Sequence, residues 1–222
     1  MTLLDLFADM FEEGGFFMYP ITVCAVIGMA LALERFVYLF LRASLNASAF
    51  MSQLQRELLA GKVEDALKLC NAEPSAAIAR VMKAGLVRAG RPEAELKAAV
   101  EEQVLEVQPQ ISRRLAYLPM LANVATLLGL LGTIQGLIFS FHAVSAADAS
   151  ARSTALADGI AVAMYTTFWG LLVAIPILVV HSLLAARANQ IMDEVDHYAL
   201  KLTNLLSTTA GVDLRRDLPP TA

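Results

Sequence analysis

Three long stretches of this sequence carry no charged residue, and nothing else in it constrains the fold as strongly. Phe16 to Leu33 gives 18 such residues, and the apolar run resumes after Glu34-Arg35 through Leu41. Leu115 to Val144 gives 30, and Gly159 to Val180 gives 22, continuing through His181 to Ala186. A helix needs roughly 20 residues, rising about 1.5 Å each, to cross the hydrocarbon of a bilayer. All three runs qualify, and the second is long enough to project beyond it. Soluble chains sit nearer about 45–50% apolar; this one is 57% hydrophobic against 17% charged. The expectation is an all-α membrane protein with three transmembrane helices, over residues 15–41, 115–144 and 159–186.

The rest of the chain is polar and reads as helix or connection. Residues 1–14 form a short amphipathic helix, with Leu3, Leu6, Phe7, Met10 and Phe11 on one side and Asp5, Asp9 and Glu12 elsewhere. Such a helix lies in a membrane interface. Residues 42–114 form a helical domain: Leu54, Leu58 and Leu59, then Ala66, Leu67 and Leu69, recur at helical spacing. Gly61, Asn71 to Pro74 and Gly90-Arg91-Pro92 break it. From Glu93 an amphipathic helix is expected to run through Pro109 into the second span. Residues 145–158 form a short loop. The tail, 187–222, is expected to be helical to about Thr209, with Gly211 and Pro219-Pro220 ending it. Residues 1–33 contain no Lys or Arg, unlike a cleavable leader, so the first run is expected to be a retained anchor.

Basic residues set the orientation. Segment 42–114 holds eleven Lys and Arg, and the tail adds Arg187, Lys201, Arg215 and Arg216. The loop has only Arg152. The positive-inside rule then places the N-terminus outside, segment 42–114 inside, the 145–158 loop outside and the C-terminal tail inside. The helical extension and C-terminus are cytoplasmic.

Composition excludes several functions. The net charge of −4 offers no basic surface for nucleic acid. Cys24 and Cys70 make no disulfide framework and no zinc spacing. Inside the spans there is no nucleophile–base pair and no metal cluster, so no enzyme, metal or cofactor is expected.

What remains is a pattern of small and hydroxylated residues. At about 100° per residue, Thr126, Thr133 and Ser140 each fall about 20° from the next, flanked by Gly129 and Gly136. On the third span Ala163, Thr167, Gly170 and Ala174 share a face with His181. Any one of these has an ordinary structural explanation. Small faces pack helices, Gly132 and Gly136 have GxxxG spacing, and a membrane threonine commonly bonds its own backbone. Two such faces on consecutive helices suggest a shared polar seam. The expected packing residues are Gly129, Gly132, Gly136, Gly170 and Ala174. Glu34, beside Arg35, is either an interfacial ion pair or, with His181, a cytoplasmic ion exit. No carboxylate lies mid-span, and a proton relay requires an ionisable group. A partner chain would have to supply it.

The segment Thr126–Ile138, TLLGLLGTIQGLI, resembles the second-span signature of the MotA/TolQ/ExbB proton channel family, PLLGLLGTVxGM. Asp158–Pro176, DGIAVAMYTTFWGLLVAIP, is similar to its third-span signature, GI-x-x-AL-x-x-T-x-x-GL-x-x-AIP. The resemblance extends from about residue 15 to 190. It implies a bacterial inner-membrane protein with a periplasmic N-terminus, forming a homopentamer among the membrane lipids. It further implies a dimer of a single-span ExbD/TolR/MotB-like partner inside the pore, whose aspartate faces Thr133 and Thr167. Ion flow, H⁺ or Na⁺, would drive rotation and so do mechanical work on the envelope. Thr126, Thr133, Thr167 and Ser140 would then form the ion pathway. Two departures stand out: Thr126 replaces the family's proline, and Val162 stands where transport-type members often carry glutamate. The second leaves room for a divergent branch such as a gliding motor. The 73-residue segment between the first two spans favours a TolQ/ExbB-like architecture over a MotA-like one. The rival is a non-conducting scaffold whose small faces only hold an oligomer.

Overall fold

In the computed structural model, residues 11, 14–43, 45–146, 148 and 150–216 are described, with side chains to residue 207. The expected N-terminal amphipathic helix lies outside them apart from Phe11 and Gly14. The described residues fold as helices: α1 (Met18–Val37), a π-helical turn (Tyr38–Arg42), α2 (Ala47–Leu59), α3 (Val63–Ala72), α4 (Ala77–Val87), α5 (Glu93–Ser112), α6 (Tyr117–Ala146) and α7 (Arg152–Arg216). Three helical stretches are long and apolar enough to cross a membrane. The chain divides into two compact units, Met1–Arg35 with Arg114–Leu183, and Phe36–Arg113 with Leu184–Ala222.

The first unit holds α1, α6 and the first half of α7. On α1, Met18, Ile21, Cys24, Gly28, Ala32 and Arg35 are buried, a stripe at three- and four-residue steps, as one face of a helix requires. Gly28 lies against the Ile177 side chain of α7. Trp169 Nε1 donates to Thr22 Oγ1 at 3.2 Å, and Thr22 donates onward to the Met18 carbonyl at 2.8 Å. Both polar atoms are thus satisfied between apolar helices, where an unmet one would be costly. Outward, Val23, Val26, Met29, Leu127, Ile134, Met164 and Ile175 are all exposed. An apolar exterior of this kind is stable only in lipid or against other apolar chains.

The second unit packs α2 to α5 with the later part of α7. Asn46 caps α2, its side chain accepting from Ala49 N at 3.1 Å, which meets one of the free amides of a helix start. Gly61 and Gly90 turn the chain at φ 74° and 83°, values glycine adopts without strain. Along α7, Leu184, Ala188, Ile191, Val195, Ala199 and Leu202 are buried, and Leu202 with Val100 packs over Gly85 of α4. Arg80 ties α4 to α5 through Glu106 at 2.9 Å and Gln110 at 2.7 Å.

Three boundaries differ from expectation. The last helix begins at Arg152, inside the expected 145–158 loop, and the helix before it runs to Ala146. The helix beginning at Glu93 ends at Ser112 instead of running into the next span, because Arg113 is extended (φ −51°, ψ 135°) and Arg114 is left-handed at φ 64°. The last helix passes Thr209 and Gly211 and continues to Arg216. A single glycine disfavours a helix by only about 1 kcal/mol and does not stop one already running.

Candidate functional site: the α6–α7 seam

The closest approach in the first unit is between α6 and α7, and it is built from missing side chains. On α6 the buried residues are Leu118, Leu121, Ala122, Ala125, Gly129, Gly132, Gly136 and Ser140. On α7 they include Ala163, Thr166, Gly170, Val173, Ala174 and Ile177. A methyl on Gly129 would lie 3.0 Å from the Thr166 carbonyl oxygen, and one on Gly170 would lie 2.8 Å from that of Ala125. A methyl on Gly132 would meet Thr166 Cβ and Oγ1 at 2.6 Å, and one on Gly136 would lie 3.0 Å from Ala163 Cβ. The pairing runs antiparallel: Ala125 with Gly170, Gly129 with Thr166, Gly136 with Ala163, and Ser140 with Gly159. Small residues let backbones approach until dispersion and backbone polar contacts hold them, as membrane helices must in the absence of a hydrophobic drive.

The hydroxyls divide into two sets. Thr166 is 1% exposed and donates to the Ala163 carbonyl at 2.9 Å, so its methyl and oxygen fill the space over Gly132. Ser140 is also 1% exposed, and its Oγ fills the place of the absent Gly159 side chain. Both belong to the contact. Thr133 and Thr167 lie on its edge, half-buried. Thr133 donates to the Leu130 carbonyl at 2.6 Å. Thr167 reaches across to the Gly129 carbonyl of α6 at 3.4 Å. Thr133 follows Gly129 by one helical turn, about 6 Å of rise, so the two edge hydroxyls sit at neighbouring levels. Thr126 is exposed and donates to the Ala122 carbonyl at 3.0 Å. Each hydroxyl that donates to backbone keeps its oxygen lone pairs for another donor.

Among the expected seam residues, the structure therefore buries Ser140 and leaves Thr126 outward, with Thr133 and Thr167 between. The expected packing glycines Gly129, Gly132, Gly136 and Gly170 lie in the contact, and Ala174 is buried. Thr166 was not singled out in the sequence. Its spacing, three after Ala163 and four before Gly170, is the signal that could have found it.

Glu34 accepts from two arginines. Arg35 Nη2 approaches Oε1 at 3.0 Å and Arg114 Nη1 approaches Oε2 at 2.5 Å. Arg35 is 5% exposed, so its charge needs this carboxylate. The Arg114 contact, absent from the sequence reading, ties the end of α1 to the entry of α6. His181 is half-buried and His142 exposed. Among the described residues no group of three His, Cys, Asp or Glu could hold a metal.

Against known proteins, a family model described as the MotA/TolQ/ExbB proton channel family matches residues 73–197. The chain is 32% identical over 191 residues to a biopolymer transport protein, ExbB-like 1, of Synechocystis sp., covering 83% of this chain and 73% of that one. It is 29% identical over 198 residues to an ExbB homolog of Methanothermobacter thermautotrophicus, covering 88% and 68%. To the Tol-Pal system protein TolQ of Haemophilus influenzae it is 31% identical over 122 residues, covering 54% and 53%.

Proposed function

This chain belongs to the MotA/TolQ/ExbB proton channel family, and from that premise we propose that it is the pore-forming stator subunit of an ion-driven motor in a bacterial inner membrane. It assembles as a homopentamer around a dimer of a single-span ExbD/TolR-like protein. H⁺ or Na⁺ passes through a carboxylate of that partner held against Thr133 and Thr167, and the passage drives mechanical work on the envelope. The chain catalyses no covalent reaction and carries no cofactor. Its N-terminus and 145–158 loop face the periplasm; segment 42–114 and the tail face the cytoplasm.

The observation that carries the proposal is the pair of edge hydroxyls. Thr167 spans from α7 to the Gly129 carbonyl, and Thr133 lies one turn along the same edge. Both donate to backbone and keep lone pairs, so they accept readily from a protonated carboxyl or coordinate a cation. An ionised carboxylate would require them to turn and donate instead. Thr167, whose present bond is long at 3.4 Å, turns at little cost. The seam therefore distinguishes the two protonation states of a carboxyl placed against it. The membrane potential supplies about 2.3 kcal/mol per charge per 100 mV.

The test is the Thr133→Val, Thr167→Val double variant, which keeps shape and removes both oxygens. It is expected to lose energised function while the oligomer survives, read by ion flux and by native mass of the purified complex. Undiminished flux would reject the seam as the ion path.

A further inference from the structure

The second unit carries a cleft that the ion path does not use. It lies between α5 and the later part of α7 and has a volume of about 580 Å³. Its floor is apolar: Val100 and Ala199 are buried there, and the Thr203 hydroxyl already donates to the Leu200 carbonyl at 2.8 Å. Its two walls repeat one pattern. On α5 Glu101 comes four residues before Leu105, and on α7 Asp196 comes four before Leu200, the spacing that sets side chains one turn apart on the same helix face. Leu105 is 69% exposed and Leu200 66%. A lone exposed leucine is ordinary, but two that converge on an apolar floor mark a surface that another chain covers.

The charges say which kind of chain. Lys97, the one basic residue among those lining the cleft, is held by Glu93 of its own helix at 2.6 Å. Glu101 and Asp196 are exposed and make no ion pair among the described residues. The complementary occupant is apolar where it meets the leucines and basic one turn away. The anionic lipids of a cytoplasmic leaflet are repelled by the same acids. The motor reading supplies a segment of the right kind. A chain that crosses the membrane once has one cytoplasmic flank, and the positive-inside rule makes that flank the one rich in Lys and Arg. With segment 42–114 and the tail in the cytoplasm, the cleft lies on that same side. We propose that the cleft docks the basic juxtamembrane segment of the single-span partner, apolar side chains against Leu105 and Leu200 and Lys or Arg against Glu101 and Asp196. This rests on the motor reading, and it gives the partner a second contact on this chain besides the Thr133 and Thr167 hydroxyls.

Site-specific photocrosslinking tests it, in the full chain and in native membranes with its partner. p-Benzoylphenylalanine replaces Leu105, Leu200, Leu59 and Leu137 singly. Leu137 is exposed and follows Thr133 by one turn of α6, so it reports on the partner at the seam. Leu59, 78% exposed on α2, is the control for chance encounter. The adducts are digested and the captured peptides sequenced by mass spectrometry. Leu105, Leu200 and Leu137 are expected to capture one and the same chain, Leu137 within its span and the other two at a Lys- and Arg-bearing segment beside that span, with at least tenfold less at Leu59. Capture at Leu137 with none at Leu105 or Leu200 would overturn the docking and leave the motor reading standing. A second copy of this chain captured at Leu105 and Leu200 would overturn it too, as would capture at Leu59 equal to that at Leu105. No partner at any position would remove both readings. Glu101→Lys combined with Asp196→Lys changes only exposed side chains and is expected to cut capture at Leu105 at least fivefold while capture at Leu137 persists. Undiminished capture at Leu105 would overturn the charge match and the docking with it.

Discussion

Replacing Gly170 by alanine puts a methyl 2.8 Å from the Ala125 carbonyl oxygen and 3.2 Å from the Gly129 Cα. Both obstacles are backbone, and neither can rotate away. The helices must separate by several tenths of an ångström to restore an ordinary contact of about 3.5 Å. Overpacking of this kind costs about 1–3 kcal/mol, against a gain of about 1 kcal/mol for alanine over glycine in a helix. Separation also stretches the Thr167–Gly129 bond, already 3.4 Å, whose loss adds about 0.6 kcal/mol at the average for membrane helices. The net destabilisation expected is roughly 1–2 kcal/mol.

Gly28→Ala supplies the comparison. Its methyl meets only Ile177 Cδ1, at 2.6 Å, with Cγ1 at 3.3 Å. That is the free end of a flexible side chain, and displacing it costs about 0.5–1.5 kcal/mol of rotamer energy. The helix-forming gain of about 1 kcal/mol leaves the variant within roughly 0.5 kcal/mol of the parent. The assay is equilibrium unfolding in mixed micelles, followed by Trp169 fluorescence, with the two variants side by side. Gly170→Ala as stable as Gly28→Ala, or more so, would refute the claim that α6 and α7 meet backbone to backbone.

Three further outcomes follow from other parts of the chain. Arg114→Gly loses the Glu34 pair but removes the left-handed strain at φ 64°; Arg114→Ala loses the pair and keeps the strain, so the glycine variant should be the more stable by about 1 kcal/mol, measured by the same unfolding. Cys70 is 2% exposed and burial pushes its thiol up to about 11. In a Cys24→Ala background at pH 8 its alkylation should be at least ~100-fold slower than a free thiol of pKa near 8.5, with the rate still rising above pH 9; a free-thiol rate would place Cys70 on the surface. The raised value also fixes a sign: the unfolded thiol ionises first, so this contribution to stability is intact below about pH 8.5 and is lost as pH climbs toward 11. A reporter fused at Ala147 should lie in the periplasm and one at Gly90 in the cytoplasm; the reverse would overturn the charge-based orientation.

How much of this was legible in the sequence depends on the range of the interaction concerned. The three spans were legible because each is a local run, and a missing charge is visible without knowing any neighbour. The glycines of the contact were legible because a 3.6-residue period projects them onto one face. The break at 113–116 was not, since the apolar pattern carries straight through it. It goes with Arg114 taking a left-handed turn and pairing with Glu34, eighty residues earlier. The choice between Thr166 and Thr167 was half legible. Spacing places both near the face, but only the depth of the neighbouring helix decides which one is buried.

That choice joins packing to mechanism. Thr166 and Thr167 differ by one step, about 100° round the helix, and the step separates a hydroxyl enclosed at 1% exposure from one at the edge. Gly129 takes part in both. Its missing side chain lets the Thr166 backbone approach, and its carbonyl receives the Thr167 hydroxyl. The tightness of the small-residue contact is therefore what brings Thr167 within reach of α6 at all. Widening it by a methyl would be expected to displace the edge hydroxyl before it unfolded anything. Gly129→Ala, a variant that touches no hydroxyl, should accordingly impair ion flux along with Thr167→Val, and a smaller side chain at Thr166 should not restore it, because the new methyl meets the Thr166 carbonyl oxygen and the Thr167 and Gly170 Cα atoms.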